Sequence, residues 1–129
     1  MKNKVIMLIF ITLLLVVCSQ ENFIEEMKKE IPLYQGAVVI ETSTIPKDNI
    51  SIIQFEIEAC EAIEDDVINF YKNTMASKGW EFEKIKRWPN NGSLFSMTKK
   101  DWGTLSIQTI TRNIKKTNKL KVVLNLSKV

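Results

Sequence analysis

The chain has no histidine, two cysteines and four glycines in 129 residues. The first absence removes the commonest general base, the commonest metal ligand and the usual activator of a nucleophilic serine or cysteine. Cys18 and Cys60 are too few for a disulfide framework, and Cys60 reads as a buried, inert thiol near a strand end. The glycines are too scattered to form a phosphate-cradling loop. No cofactor, metal site or catalytic residue is therefore expected. Charge of one sign is also in short supply, with 18 basic residues against 15 acidic. A nucleic-acid-binding domain needs a clustered basic excess, so no nucleic-acid partner is expected. Finally, there is no apolar run long enough to span a bilayer. Val5–Val17 is thirteen residues broken only by Thr12, whereas a crossing helix needs about 20.

What that run does have is Lys2 and Lys4 in front of it, the pattern of a secretory leader. Leu15-Val16-Val17-Cys18 resembles a bacterial lipobox, in which a leucine stands three residues before the cysteine that becomes the acylated N-terminus. Val17 occupies the place where a lipobox usually carries Gly, Ala or Ser. The resemblance implies a signal peptide over 1–17, lipidation of Cys18 with palmitate-type chains, and a polar tether over 18–30 joining a membrane to a single domain over 31–129. Ser19 is compatible with an outer-membrane location facing the periplasm if the host has two membranes. An uncleaved anchor and ordinary secretion stay open as alternatives. Without Lys2 and Lys4 the balance is 16 basic to 15 acidic residues, a net of +1.

The remaining stretch of about 110 residues suits one domain with one modest core. Residues 21–30 form a short helix or a frayed tether. Ala37–Thr42 reads as a first strand. Ser51–Ala59 alternates cleanly, with Ile53, Phe55 and Ile57 on one face and Gln54, Glu56 and Glu58 on the other. The period then changes. Ile63, Val67, Phe70, Tyr71 and Met75 recur at helical steps, with Glu64, Asp65 and Asp66 in the first turn and Gly79 past the last. Strand alternation returns at Trp80 and Phe82, at Phe95 and Met97, at Leu105 and Ile107, and at Leu120, Val122, Leu124 and Leu126, with turns at 89–92, 101–103 and 113–119. The order β-β-α-β-β-β-β, with one dry face per strand, predicts an α+β domain: an antiparallel sheet with one long helix on one face.

A second resemblance rests on Pro32, Tyr34, Gly36 and Ala37 before a strand, followed by Val67, Phe70, Tyr71, Gly79 and Trp80 at a helix–strand junction. Over 31–82 this layout is similar to small bacterial lipoproteins of uncharacterised function. It implies an envelope lipoprotein and brings no functional residues with it.

Three groups invite a chemical reading. Glu64-Asp65-Asp66 are first-turn acids, which a helix dipole explains. Glu56, Glu58, Glu81 and Glu83 fall on wet faces and would interest a cation or an acid–base reaction if their strands met. In an up-and-down meander, alternate turns share one end of the sheet. That gathers Arg87, Trp88, Arg112, Lys115, Lys116 and Lys119 as a candidate surface-binding end for anionic glycans or lipid headgroups. The expectation is a lipid-anchored cell-envelope protein with a non-enzymatic binding or assembly role, its partner an envelope protein or an anionic glycan or lipid. Two alternatives stand beside it: an enzyme acting on an envelope polymer through wet-face carboxylates, and a secreted or uncleaved-anchor structural subunit.

Overall fold

The computed structural model describes residues 23–129. They form one antiparallel sheet with a long helix across it, as the α+β expectation requires. The elements are a helix α1 (residues 23–30), β1 (Val38–Ile45), β2 (Ile50–Glu58), α2 (Ile63–Ser77), β3 (Glu81–Trp88), β4 (Gly92–Lys99), β5 (Gly103–Ile110), a one-turn α3 (Ile114–Thr117) and β6 (Lys119–Lys128). The six strands lie in the order β1-β2-β6-β5-β4-β3. The last strand thus joins the β1–β2 hairpin to the β3–β4–β5 meander.

This order makes α2 necessary. Each neighbouring pair is antiparallel, so β2 and β3, four steps apart, run the same way. The end of β2 and the start of β3 are therefore at opposite ends of the sheet. Eight strand residues span about 26 Å, and fifteen helical residues about 22 Å, so one helix returns the chain in a single pass. Its buried stripe is Ile63, Val67, Ile68, Tyr71 and Met75. It ends in a Schellman motif: the Trp80 N–H donates to the Met75 carbonyl at 3.0 Å and the Gly79 N–H to the Ala76 carbonyl at 3.1 Å. Gly79 supplies the required left-handed φ of 94°.

Four tight connections each turn on a small polar residue with positive φ: Asn49, Asn90, Asp101 and Asn118. Two of these hairpins share one design. Asn91 N–H donates to the Trp88 carbonyl and Trp102 N–H to the Lys99 carbonyl, both at 3.1 Å. A glycine follows in each, Gly92 at φ 131° and Gly103 at φ 130°. A Cβ at either glycine would overlap a carbonyl oxygen of the adjoining strand, of Thr109 or Ser127 respectively.

The core lies between the sheet and the helices, with Phe55, Phe95, Leu105, Ile107, Val122 and Leu124 fully buried against Tyr71 and Met75. Burial pushes the Tyr71 phenol well above its ordinary range. Its oxygen accepts the Tyr34 N–H at 3.2 Å. Both edge strands carry a bulge, at Ile40 in β1 and Glu83 in β3, a device that discourages edge pairing. On β3, Phe82 and Ile85 turn toward the core face but stay 41% and 37% exposed, because no strand lies beyond them. Cys60, expected to be buried, is exposed: β2 ends at Glu58, and the thiol falls in the connection to α2.

Residues 23–30 take the helical form, and they pack: Met27 and Ile31 are fully buried. Lys78 Nζ donates to the last carbonyls of α1, those of Lys29 at 3.3 Å and Glu30 at 2.8 Å. The Glu30 carboxylate accepts from the Trp80 indole N–H at 2.9 Å and from Lys99 Nζ at 3.0 Å. Burial pushes the Glu30 pKa up, but these two hydrogen bonds, with the charges of Lys99 and Lys78, outweigh it and hold the carboxyl below its ordinary value.

A carboxyl depressed on folding stabilises above its unfolded pKa, about 4.3, and loses that contribution as pH falls through the folded value. Glu30→Gln is therefore expected to lower the melting temperature at pH 7, with the gap to the wild type closing below about pH 4.3. Thermal unfolding of both chains at pH 7 and pH 3 checks this.

Candidate functional site

The bulge at Glu83 decides which way the end of β3 faces. Phe82 pairs with Met97 on the core side. After the bulge, Lys84 pairs with Ser96 on the open side, and Ile85 with Phe95 on the core side. Unbroken alternation from Phe82 would have sent Trp88 inward. The inserted residue reverses the parity, so Arg87 falls in the core-face row and Trp88 in the open-face row.

Arg87 accordingly leaves the expected cluster. Its guanidinium pairs with Asp65 at 3.1 Å and approaches Glu64 at 4.0 Å, both in the first turn of α2. Beside it in register are Ser93 and Thr109, two hydroxyl residues in an otherwise apolar layer, exposed by 0% and 1%. Ser93 Oγ and Thr109 Oγ1 lie 2.7 Å apart, Thr109 Oγ1 accepts the Ser93 N–H at 2.9 Å, and it donates to Glu64 Oε2 at 3.0 Å. Thr109 is thus the hub that satisfies these buried groups and fastens the start of α2 to the sheet. Two of the three first-turn acids are occupied by sheet residues. The sequence carried a signal for this hub, since Ser93 and Thr109 occupy apolar positions in their strands' alternation.

Of the other predicted residues, Trp88 and Arg112 come together. They line an open hollow of about 300 Å³ with Asn91, Gln108, Thr109 and Ile110. The link across this end is direct, with Thr111 N–H donating to the Asn91 carbonyl at 3.0 Å. Trp88, Gly92 and Ile110 form one cross-strand row, so the position between indole and isoleucine has no side chain. Lys86 Nζ stands 5.2 Å from the indole centroid. Lys115 and Lys116 project from α3 at the same end, exposed and with no ion-pair partner among the described residues. Lys119 is drawn aside to Glu58 at 3.8 Å. Gln108 and Ile110 were not foreseen, because their nearness to Trp88 depends on register, and Asn91, in the same turn as Trp88, was not singled out.

The wet-face carboxylates share a sheet but not a site. Strands β2 and β3 are four positions apart, about 19 Å at ordinary strand spacing. Glu56 and Glu58 border one hollow with Lys119, yet each faces a lysine across the ladder, Lys121 and Lys119. The Glu58 side chain is 85% exposed. Among the described residues no group of three or more acidic or cysteine side chains is arranged to hold a metal ion. None of the described helices is long and apolar enough to cross a membrane. Cys18 and the leader lie outside the described residues. Comparison with protein-family models, with curated proteins and with solved structures finds no match for this chain.

Thr109→Val is expected to destabilise the fold by about 2–3 kcal/mol, because it leaves the Ser93 N–H and hydroxyl and the Glu64 carboxylate short of partners. Ser93→Ala should cost less in that background than alone, since the two share one network. Denaturant unfolding of the four chains of this cycle provides the measurement.

Proposed function

We propose that this chain is a lipid-anchored, non-enzymatic binding domain of a bacterial cell envelope, cut after residue 17, acylated at Cys18 and engaging its ligand at the Trp88 end. The observation that carries the binding half is the shared hollow of Trp88 and Arg112. Beside it, Lys115 and Lys116 have no ion-pair partner among the described residues.

The path of the chain supports a ligand beyond the anchoring bilayer. Phe23 borders Asn49, Trp102 and Lys128, at the end of the sheet opposite the 88–92 turn. Four residues lie between Cys18 and Phe23, so the five Cα-to-Cα steps reach at most about 18 Å. Helix α1 is packed and ion-paired, so it adds no slack. On this reading the α1 end faces the bilayer. The Trp88 end stands off by roughly the 26 Å length of a strand, where an anionic envelope polymer is nearer than the headgroups of the same membrane. The dispersal of the wet-face carboxylates favours binding over catalysis.

Cys18→Ser is expected to move the protein from the membrane to the soluble fraction or to block its processing. Unchanged membrane association at unchanged gel mobility would overturn the lipid anchor. Separately, Trp88→Ala combined with Lys115→Glu and Lys116→Glu is expected to lower co-sedimentation with isolated envelope material by about tenfold or more. Co-sedimentation equal to that of the wild type would overturn the assignment of this end.

A further inference from the structure

From the hollow's own chemistry we infer that its ligand is a single anionic sugar unit of a polysaccharide, a pyranose bearing a carboxylate. This deepens the binding reading above and rests on it. The volume of about 300 Å³ is at the small end of ligand sites, which suits one ring. The open groove above suits a chain passing through rather than a molecule enclosed.

Each wall has a matching part of such a ring. Trp88 is half-buried, and its indole offers a flat apolar surface to the C–H face of a pyranose. Lys86 stands over the ring at 5.2 Å, while toward β4 the indole meets no side chain, because Gly92 is next in the row and no larger residue fits there without striking the Thr109 carbonyl. The amides of Gln108 and Asn91 each offer both a donor and an acceptor, the pairing that sugar hydroxyls need. Arg112 supplies a planar fork for a carboxylate, exposed at the rim.

Charge selects against the neutral analogue. Among the described residues, no acidic side chain lines the hollow. The cations around it are Arg112 in the wall and Lys86 held over the indole, with Lys115 and Lys116 on the neighbouring helical turn. The two lysines are too exposed to discriminate at short range. Their part is to raise the local concentration of a polyanion, an effect that fades with salt.

The test uses the full-length chain in detergent micelles, titrated calorimetrically with trigalacturonate, with neutral galactotriose and with phosphatidylglycerol vesicles. Trigalacturonate is expected to bind, and galactotriose about tenfold or more weakly. Trp88→Ala should abolish both. Arg112→Gln should bring the acidic sugar down to the affinity of the neutral one. Lys115→Glu with Lys116→Glu should weaken binding at low salt and leave it nearly unchanged at high salt. Thermal unfolding verifies that each variant is folded, and Trp88 lies outside the core. Equal binding of acidic and neutral sugars, or binding that survives Trp88→Ala, overturns the inference. Vesicles that bind through Trp88 while trigalacturonate does not would overturn it in favour of a headgroup. If trigalacturonate fails yet envelope co-sedimentation still depends on Trp88, the sugar class falls and the binding domain stands; if both fail, both fall.

Discussion

The Glu30 carboxylate carries the join between the incoming chain and the sheet. Trp80 is nearly fully buried, and a buried indole N–H needs an acceptor. Glu30 supplies it, and the resulting half-buried charge is matched by Lys99 from the end of β4. Lys78 adds the second half of the fastening by closing the open carbonyls of α1. Residues up to 69 positions apart thus meet at one point. A neutral residue at position 30 would leave Lys99 unpaired, and an apolar one would strand the indole as well. The docking of α1 is therefore a cooperative property of four side chains.

That fastening gives the two ends of the sheet different characters. At the α1 end, Trp102 lies 6.5 Å from Trp80 with Lys128 over its ring at 5.0 Å, and Lys128 is itself held by Glu26 of α1. Trp102 also borders an open hollow of about 350 Å³, but there Glu26 and Glu30 line the wall beside the cations. At the other end, the start of α2 is tied down on the core face by Thr109, Glu64 and Arg87. This fixes the strand ends without covering the open face. The network under the sheet leaves Trp88, Gln108 and Arg112 to line the hollow at this end, with Lys86 over the indole.

Much of this was legible in the residues. The alternation of Ile53, Phe55 and Ile57, the change of period at Ile63, and Gly79 before Trp80 are local signals, and they correspond to β2, α2 and the Schellman motif. The position of β6 between β2 and β5 was not legible, because pairing partners are chosen by the whole fold. The packing of 23–30 escaped for a similar reason: Met27 and Ile31 are too few to announce a buried face until Trp80 and Lys99 are seen beside them. The candidate end was half legible. Adjacent residues on a strand point to opposite faces, so Arg87 and Trp88 were never able to serve one surface. Which of them faces outward hung on one extra residue, Glu83, whose bulge shows in the sequence only as the three-residue step from Phe82 to Ile85.

The two hairpins that share a turn show where specificity must come from. Gly92 and Gly103 share a positive φ, and neither leaves room for a Cβ, so each turn forces a missing side chain in its cross-strand row. The gap is a product of turn geometry and would form whatever the protein binds. At Gly103 the gap lies in the core-face row, between Lys99 and Lys128, and no indole adjoins it there. At Gly92 the gap lies in the open-face row beside Trp88, and among the described residues no strand pairs with the outer edge of β3. Backbone constraints thus account for the existence of the hollow. They do not account for an indole, two amides and a guanidinium around it, or for the absence of a carboxylate in its walls among the described residues. Those side chains are free of the turn's demands, and it is they that select what binds.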